Sequence, residues 1–362
     1  RLYLYRYWEY ERQIAEDLLR RVIDEPGDVD LARLREGLDR LFPPAADSAV
    51  DWQRTAAAAA VLRRFCVISG GPGTGKTTTV IRILALLLEQ AAGRPLHIAL
   101  AAPTGKAAAR MQEAIRLARE RLPVSQEIRE AIPGEAMTIH RLLGFRPGSV
   151  RFRHDRENPL PVDVLVVDEA SMVDLALMAK LVRALSPRAR LILLGDKDQL
   201  ASVAAGAVLG DICGDSPGLS PAFRRRLSEV AGQDPDGRPL CDALQRVGPE
   251  TGPPIRDAIV ELTRSYRFGE TSGIGRLARH VNRGDGREAL ALLERGDSED
   301  VVWRPLESPR DLEARLAEAA ERLGAYLAAG TPESALAGLD RLRVLSAHRT
   351  GPFGVETLNR LV

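Results

Sequence analysis

The chain has 362 residues, of which 45% are hydrophobic and 28% are charged, a composition typical of globular proteins. Its formal net charge of +1 excludes a strongly basic overall surface, so any site for a polyanion has to be local. No apolar segment approaches the ~20 residues that span a bilayer, and the first residues lack the pattern of a signal peptide. We therefore expect a cytoplasmic protein with no membrane attachment.

Lysine is scarce in this chain. The 51 basic residues include only four lysines, which leaves 47 arginines. The lysines are Lys76, Lys106, Lys180 and Lys197. A lysine retained in so arginine-rich a composition is a candidate for a specific role. The three cysteines are widely spaced and odd in number, which predicts reduced thiols rather than a disulfide framework or a zinc site.

The first half of the chain predicts helices followed by an α/β domain. Residues 1–44 have helical periodicity, and four of the six tyrosines lie among the first ten residues, which suggests a packing or partner surface. Residues 45–213 alternate short apolar strands with helices, the pattern of a mostly parallel, doubly wound sheet. The predicted strands are 65–69, 97–102, 163–167 and 191–194. Ligands of such folds bind beyond the carboxyl ends of the strands.

The second half of the chain is less regular. Residues 214–258 are rich in glycine and proline, which predicts an irregular insertion or linker. A second α/β region is expected over 259–362, with a helix around 310–329 and a strand at 343–347. Because the chain starts without methionine and ends inside an apolar periodic pattern, we expect it to be a fragment.

A phosphate loop is the strongest motif of the sequence. The segment "GGPGTGKTTT" satisfies G-x-x-x-x-G-K-[ST] between a predicted strand and an amphipathic helix. Backbone N–H groups of such a loop surround phosphate oxygens, and the helix N-terminus adds a positive dipole. We expect Lys76 to reach the β- and γ-phosphates and Thr77 to ligate Mg²⁺. The predicted nucleotide-binding residues are Gln53, Gly71, Pro72, Gly73, Thr74, Gly75, Lys76, Thr77 and Thr78.

Two adjacent acids follow the apolar strand in "VLVVDEASM". Asp168 is expected to help hold Mg²⁺ and Glu169 to polarise the attacking water, although Glu169 could instead be a carboxylate that stabilises a helix N-terminus. A GTPase would need glycine where Ser171 stands, and "DKDQ" does not match [NT]-K-x-D, so ATP is the expected nucleotide. Gln53 has an amide suited to an adenine edge.

Five further candidates follow other predicted strands or begin helices. Thr104 and Lys106 in "AAPTGKAAAR" form a second anion-binding pattern, for which the natural ligand is a nucleic-acid backbone. Thr138 and His140 in "MTIHRLLG" are candidate DNA contacts, although a lone histidine is more often structural. Arg267 in "SYRF" could stabilise γ-phosphate charge across a cleft or be a surface arginine, and the sequence favours neither.

Taken in order, several segments resemble the superfamily-1 DNA helicases and, more narrowly, the RecD family of exodeoxyribonuclease V alpha subunits. They are "DWQRTAA", "ISGGPGTGKTTT", "AAPTGKAAAR", "TIHRLLGF", "VLVVDEASMVD", "LLGDKDQLASVAAGAVLGDI" and "SYRFGETSGIGRLA". The resemblance implies ATP-driven 5′-to-3′ movement on single-stranded DNA, in double-strand break repair and recombination. It implies beta (RecB-like) and gamma (RecC-like) subunits as partners and no nuclease centre in this chain. It also implies that Gln199 contacts the γ-phosphate and that Arg267 reaches it from a second domain.

The same resemblance implies a domain plan. Residues 1–44 would belong to a helical partner-docking domain, 45–213 would be a RecA-like P-loop NTPase domain, and 214–258 would be a linker. Residues 259–362 would be an incomplete second RecA-like domain, because later helicase motifs are absent before Val362. Two alternatives stay open, namely a stand-alone RecD-like helicase and a nucleotide-dependent scaffold subunit that does not translocate.

Overall fold

The chain folds into two compact units, Arg1–Glu270 and Thr271–Val362. The computed structural model describes residues 4–43, 51–149, 151–199, 206, 208–214, 218–231, 254–269, 272–306, 309–322, 324, 328, 330–339 and 343–361. Every helix in these ranges is too short or too polar to cross a lipid bilayer.

A six-stranded parallel sheet forms the centre of the first unit. The strands are β1 (Phe65–Gly70), β2 (Ile98–Ala102), β3 (Met137–Thr138), β4 (Val164–Val167), β5 (Arg190–Gly195) and β6 (Ile259–Leu262). Their order across the sheet is β3-β2-β4-β5-β1-β6, and every neighbouring pair is parallel. The four strands predicted from the sequence are confirmed within one residue at each end, and β5 pairs with β4.

Helices cover both faces of this sheet. They are α1 (Tyr5–Ile23), α2 (Leu31–Leu41), α3 (Trp52–Leu62), α4 (Lys76–Ala91), α5 (Gly105–Glu120), α6 (Gln126–Ala131), α7 (Ile139–Leu142), α8 (Leu175–Arg183), α9 (Val208–Cys213) and α10 (Pro221–Ala231). Alternate residues of β5 enter different cores, Ile192 and Leu194 on one face and Leu191 and Leu193 on the other. Burial on both faces explains why the strands are continuous apolar runs.

The two N-terminal helices belong to the same compact unit as the sheet, so residues 1–44 do not form the separate domain that we expected. Helix α1 packs on α8 and buries Ile14, Leu18 and Val22 in the core on one face. Helix α2 packs on α4 and buries Leu34 and Leu38 in the core on the other face. An amphipathic helix without a core of its own is stabilised by laying its apolar side on an existing sheet layer.

The boundaries expected around residues 214–258 are corrected in two places. Helix α10 packs on α2 and α3 through the buried Phe223 and Leu227, so this part is regular despite the glycine and proline content. Residues 215–217 and 232–253 of the expected linker lie outside the described residues. Strand β6, expected to open a second domain, pairs with β1 and completes the first sheet. The second compact unit starts only at Thr271.

Two arginines, the half-buried Arg190 and the buried Arg21, connect helix ends to neighbouring elements. Arg190, at the start of β5, donates to the carbonyls of Val61 and Arg63 at the end of α3, at 2.8 Å each. Arg21 of α1 donates to the carbonyls of Leu185 and Ala189, which follow α8. Burial lowers the pKa of Arg190 and of Arg21 to about 10, so both remain charged at neutral pH. Carbonyls that end a helix without an intrahelical partner are satisfied in this way.

The second unit is described as helices and connecting segments. Its helices are α11 (Gly273–Arg283), α12 (Gly286–Arg295), α13 (Pro309–Arg322), α14 (Pro332–Leu339) and α15 (Val355–Leu361). The Asp300 carboxylate lies at the N-terminal end of α11. It accepts hydrogen bonds from the Gly273 N–H at 2.8 Å and the Ser272 hydroxyl at 2.6 Å. The strand predicted at 343–347 is wrong, since these residues form no strand. The helix predicted around 310–329 corresponds to α13, which ends at Arg322.

We expect the substitution Phe223→Ala to lower the free energy of unfolding by about 3–5 kcal/mol, because the ring is fully buried beneath the guanidinium of Arg63, 4.3 Å away. Arg225→Ala, on the exposed side of the same helix, should change it by less than ~0.5 kcal/mol. Urea denaturation followed by circular dichroism measures both values. Equal stabilities of the two variants would contradict the packing of α10 described above.

Candidate functional site

Candidate groups follow the carboxyl ends of all six strands. The phosphate loop follows β1, Asp168 and Glu169 follow β4, and Gln199 lies in the loop after β5. Thr104 and Lys106 follow β2, Thr138 ends β3 just before His140, and Arg267 follows β6. Because the strands are parallel, these groups lie along one edge of the sheet.

The phosphate loop is held closed by its own polar groups. Thr74 is buried and its hydroxyl donates to the Gly71 carbonyl at 2.9 Å. The ammonium of Lys76 donates to the carbonyls of Gly70 and Gly71, the latter at 3.0 Å. Helix α4 begins at Lys76, so the N–H groups of its first turn face the same loop. This is the arrangement of a nucleotide-binding phosphate loop.

Two glycines of this loop make contacts that a larger residue could not make. Gly73 has φ of 78°, and a methyl group there would lie 2.4 Å from Cβ of Arg267. Gly75 has φ of 81°, and a methyl group there would lie 2.3 Å from the amide nitrogen of Gln53. That amide donates to the Thr74 carbonyl at 3.0 Å. Gln53 therefore lies directly against the phosphate loop, at the start of α3.

Lys76 is the centre of a cluster of charged groups. Burial lowers its pKa, and three nearby carboxylates oppose this effect. Asp196 opposes it most, followed by Asp168 and Glu169. The positive charge of Arg267 adds to the lowering of the Lys76 pKa. The fold thus brings charged groups from three other segments of the sequence within electrostatic range of Lys76.

The two acids after β4 differ in their surroundings. Burial raises the pKa of the Asp168 carboxyl, which accepts a hydrogen bond from the Glu169 N–H at 2.9 Å. Glu169 adopts a left-handed backbone conformation with φ of 52°, which is uncommon for a residue with a side chain. A turn of this kind immediately after a strand directs the chain sharply away from the sheet. Both carboxylates raise the pKa of Lys76, Asp168 more strongly than Glu169.

The loop after β5 is hydrogen-bonded to two neighbouring segments. The Gln199 side-chain carbonyl accepts a hydrogen bond from the Ser171 hydroxyl at 3.2 Å, next to the two acids. The Lys197 N–H donates to the buried hydroxyl of Ser69 at 3.1 Å, at the end of β1. Burial raises the pKa of Asp196, the first residue of this loop. The loop "DKDQ" is therefore an edge of the charged cluster and not a free solvated turn.

Arg267 lies in the first unit, next to the phosphate loop. The Tyr266 N–H donates to the Gly73 carbonyl at 2.9 Å, and the Ser265 hydroxyl donates to the Pro72 carbonyl at 3.3 Å. The expectation that Arg267 reaches the site from a second domain is therefore wrong for this structure. The reason is that β6 pairs with β1, so the segment that follows β6 arrives at the same sheet edge as the loop after β1.

The candidate DNA contacts form a second group, after β2 and β3. Ala102 of β2 is in register with Thr138 of β3, so the two predicted segments are neighbours. Thr104 accepts a hydrogen bond from the Ala107 N–H, and Thr138 accepts one from the Arg141 N–H, so each caps a helix. The His140 ring lies edge-on to Phe152, with centroids 5.7 Å apart.

A groove of about 550 Å³ lies beside this second group and is lined by Thr138, His140, Arg141, Gly144 and Phe145. Lys106 lies in the first turn of α5 and is exposed.

Two hydroxyl groups of the first site were missed by the sequence analysis. Ser69 and Ser265 each make a hydrogen bond to a candidate loop, but neither residue belongs to a motif that identifies it. Ser69 stands one position before the phosphate-loop pattern at the end of an apolar strand, and that position was the only available signal.

The sequence is similar to known proteins along its whole length. A family profile described as an AAA domain matches residues 53–205. The RecBCD enzyme subunit RecD of Mycolicibacterium smegmatis is 43% identical over 366 residues, which include all of this chain and 57% of that protein. The RecBCD enzyme subunit RecD of Mycobacterium tuberculosis is 45% identical over 367 residues, which include all of this chain and 55% of that protein. The whole chain is therefore similar to RecD proteins.

The chain spans little more than half the length of these RecD relatives, 57% and 55%. Among solved structures, the Pif1 helicase from Candida albicans is similar with a TM-score of 0.36 and 17% identity, over 76% of this chain and 54% of that one.

We expect Gly73→Ala to lower the free energy of unfolding by on the order of 1–3 kcal/mol, because the alanine would be strained and would collide with Arg267. Gly71→Ala is the matched control, since a methyl group there meets open space, and its effect should stay below about 1 kcal/mol. Thermal unfolding without nucleotide measures both effects. Equal stability of the two variants would contradict the close approach of Arg267 to the loop.

Proposed function

We propose that this chain is the ATP-hydrolysing motor part of a DNA helicase subunit that moves 5′-to-3′ on single-stranded DNA. The observation that carries the proposal is the phosphate loop at the sheet edge, where the Lys76 ammonium donates to the loop carbonyls of Gly70 and Gly71 and its pKa is influenced by three carboxylates and the Arg267 guanidinium. The names of the relatives support the assignment to a helicase-nuclease complex of the RecBCD type. The proposed partners are RecB-like and RecC-like subunits. The proposed process is DNA repair and recombination, and the proposed location is the cytoplasm.

The chain's residues divide the chemistry of ATP hydrolysis between them. The N–H groups of the phosphate loop and Lys76 bind the phosphates, and Gln53 orients the adenine. Glu169 orients and polarises the attacking water, since it stands on the turn that leaves the sheet beside Lys76. Arg267, adjacent to Gly73, stabilises charge that develops on the γ-phosphate. Gly71, Pro72, Gly73, Thr74, Gly75, Thr77 and Thr78 complete the nucleotide site.

The donor set also fits Mg²⁺. A hydroxyl oxygen of Thr77 and a carboxylate oxygen of Asp168 are hard ligands of the kind that Mg²⁺ prefers, and this ion usually takes few protein ligands besides phosphates and water. When bound, the ion would neutralise phosphate charge. Burial of Asp168 makes its charge costly without a nearby cation, and Lys76 only partly supplies one. Thr77 lies half-buried at the start of α4, next to Lys76.

The second group of residues is proposed to bind DNA. Thr104, Lys106, Thr138 and His140 lie at two neighbouring strand ends on the same edge as the ATP site. In this proposal the N-terminal ends of α5 and α7, each capped by a threonine, present N–H groups to the phosphate backbone. The second compact unit is proposed to be part of a second RecA-like domain.

Replacing Lys76 by Gln in the full-length protein should lower DNA-stimulated ATP hydrolysis by at least about 100-fold, because the phosphates lose their charged partner. Lys180→Gln, on α8 outside the charged cluster, is the matched control and should keep the wild-type rate. Strand displacement on 5′-tailed and 3′-tailed duplexes, with and without partner subunits, gives the direction.

Each alternative to the proposed function has its own outcome in these assays. Unwinding without partner subunits would favour a stand-alone helicase. Unchanged movement of the Lys76→Gln protein on 5′-tailed strands would favour a scaffold subunit and contradict the proposal.

Gln199→Ala should reduce movement along DNA per ATP hydrolysed more than it weakens ATP binding. The reason is that Gln199 touches Ser171, close to the acids, rather than the phosphate loop that binds the nucleotide. We expect the Kd for ATP to change by less than about threefold, which is under 1 kcal/mol. Stopped-flow translocation with parallel phosphate-release assays measures the ratio, with Gln126→Ala on exposed α6 as control. A parallel loss of ATP affinity and movement would contradict a coupling role.

A further inference from the structure

Lys197 is one of only four lysines. It has no role in the ATP site proposed above. We propose that Lys197 is a positioning residue, which fixes the Gln199 loop to β6 and thereby to the segment that carries Arg267. This inference rests on the proposed function, because it concerns how the two residues expected at the γ-phosphate are held relative to each other.

The backbone of Lys197 is fixed to the end of β1. Its N–H donates to the hydroxyl of Ser69 at 3.1 Å, and Ser69 is almost fully buried. Ser69 and Glu261 are register partners on the parallel strands β1 and β6. Side chains of register partners leave a sheet on the same face, so the hydroxyl that holds Lys197 and the Glu261 carboxylate point to the same side.

The side chain of Lys197 continues in that direction and reaches β6. Its ammonium lies 3.5 Å from a carboxylate oxygen of Glu261 and 4.0 Å from one of Asp198. The side chains of Lys197 and Glu261 are 24% and 34% exposed, so this contact is partly shielded from water. Among the described residues, Asp198 belongs to the same loop as Lys197, whereas Glu261 belongs to strand β6.

This ion pair connects the loop that carries Gln199 to strand β6, which leads into the segment that carries Arg267. On one side, Gln199 is two residues beyond Lys197 and accepts a hydrogen bond from Ser171, which follows the acids of β4. On the other side, Glu261 precedes the segment in which Ser265 and Tyr266 bind the phosphate loop. Among the described residues, the Lys197 side chain connects the loop after β5 to β6. It therefore sets the distance between the loop that carries Gln199 and the segment that carries Arg267.

An ordinary half-exposed ion pair would contribute little, and its loss would slightly lower stability without altering turnover. A positioning residue behaves differently, because small displacements of catalytic groups slow the chemical step more than they weaken ground-state binding. The two roles are separated by comparing kcat with KM for ATP and by restoring the pair with its charges exchanged.

The test uses the full-length protein with the variants Lys197→Glu, Glu261→Lys, their combination, and Lys197→Arg. We expect each single charge reversal to lower the DNA-stimulated kcat about tenfold while KM for ATP stays within about twofold. The combined variant, in which the charges are exchanged, should recover to within about threefold of wild type, and Lys197→Arg should retain the wild-type kcat. Arg116→Glu, which breaks an exposed pair on α5, is the control for charge reversal alone.

Three results would overturn the inference. They are single variants with wild-type kcat, a combined variant as slow as the single ones, and a kcat loss that only follows the fraction of unfolded protein in thermal melts. A wild-type protein that hydrolyses ATP no faster than Lys76→Gln would overturn the proposed function together with this inference. An active wild type with an equally active Lys197→Glu variant would overturn the inference alone.

Discussion

Parallel pairing of the six strands is the constraint on which every other feature of the site depends. Because all strands run in one direction, six loops that are far apart in sequence leave the sheet at one edge. Strand β5 lies between β1 and β4, so the loop with Asp196 and Gln199 stands between the phosphate loop and the acids. The burial of both sheet faces then holds this edge rigid, since neither layer can move without exposing apolar surface.

The same convergence creates an electrostatic cost that the cluster itself reduces. Burial disfavours the charged forms of Lys76, Asp168 and Asp196, as the directions of their pKa shifts show. Opposite charges at short range offset part of that cost. A polyphosphate with its cation would supply further charges of both signs to these groups.

The sequence was a good guide to the strands and to local motifs. The phosphate loop, the acids after β4 and the position of β5 followed from apolar runs, glycine spacing and the rule that ligands bind at strand ends. The pairing of β6 with β1 was not predictable from the sequence. A short apolar strand has the same sequence pattern whichever sheet it joins, so only tertiary packing determines its partner. Helix α10 was not predicted, because the glycines and prolines around it indicated an irregular segment. The capping roles of Thr104 and Thr138 were missed because a threonine before a helix suits both a cap and a phosphate contact.

The arginines that hold the helix ends give the composition of this chain a structural meaning. One guanidinium presents five donors in a planar fork, so Arg190 reaches two carbonyls of the α3 terminus while keeping its charge. A lysine ammonium is a compact, strongly hydrated charge whose pKa falls readily on burial, and it would lose more on entering these places. An exchange of arginine for lysine, usually regarded as mild, is therefore a severe change at Arg21 and Arg190.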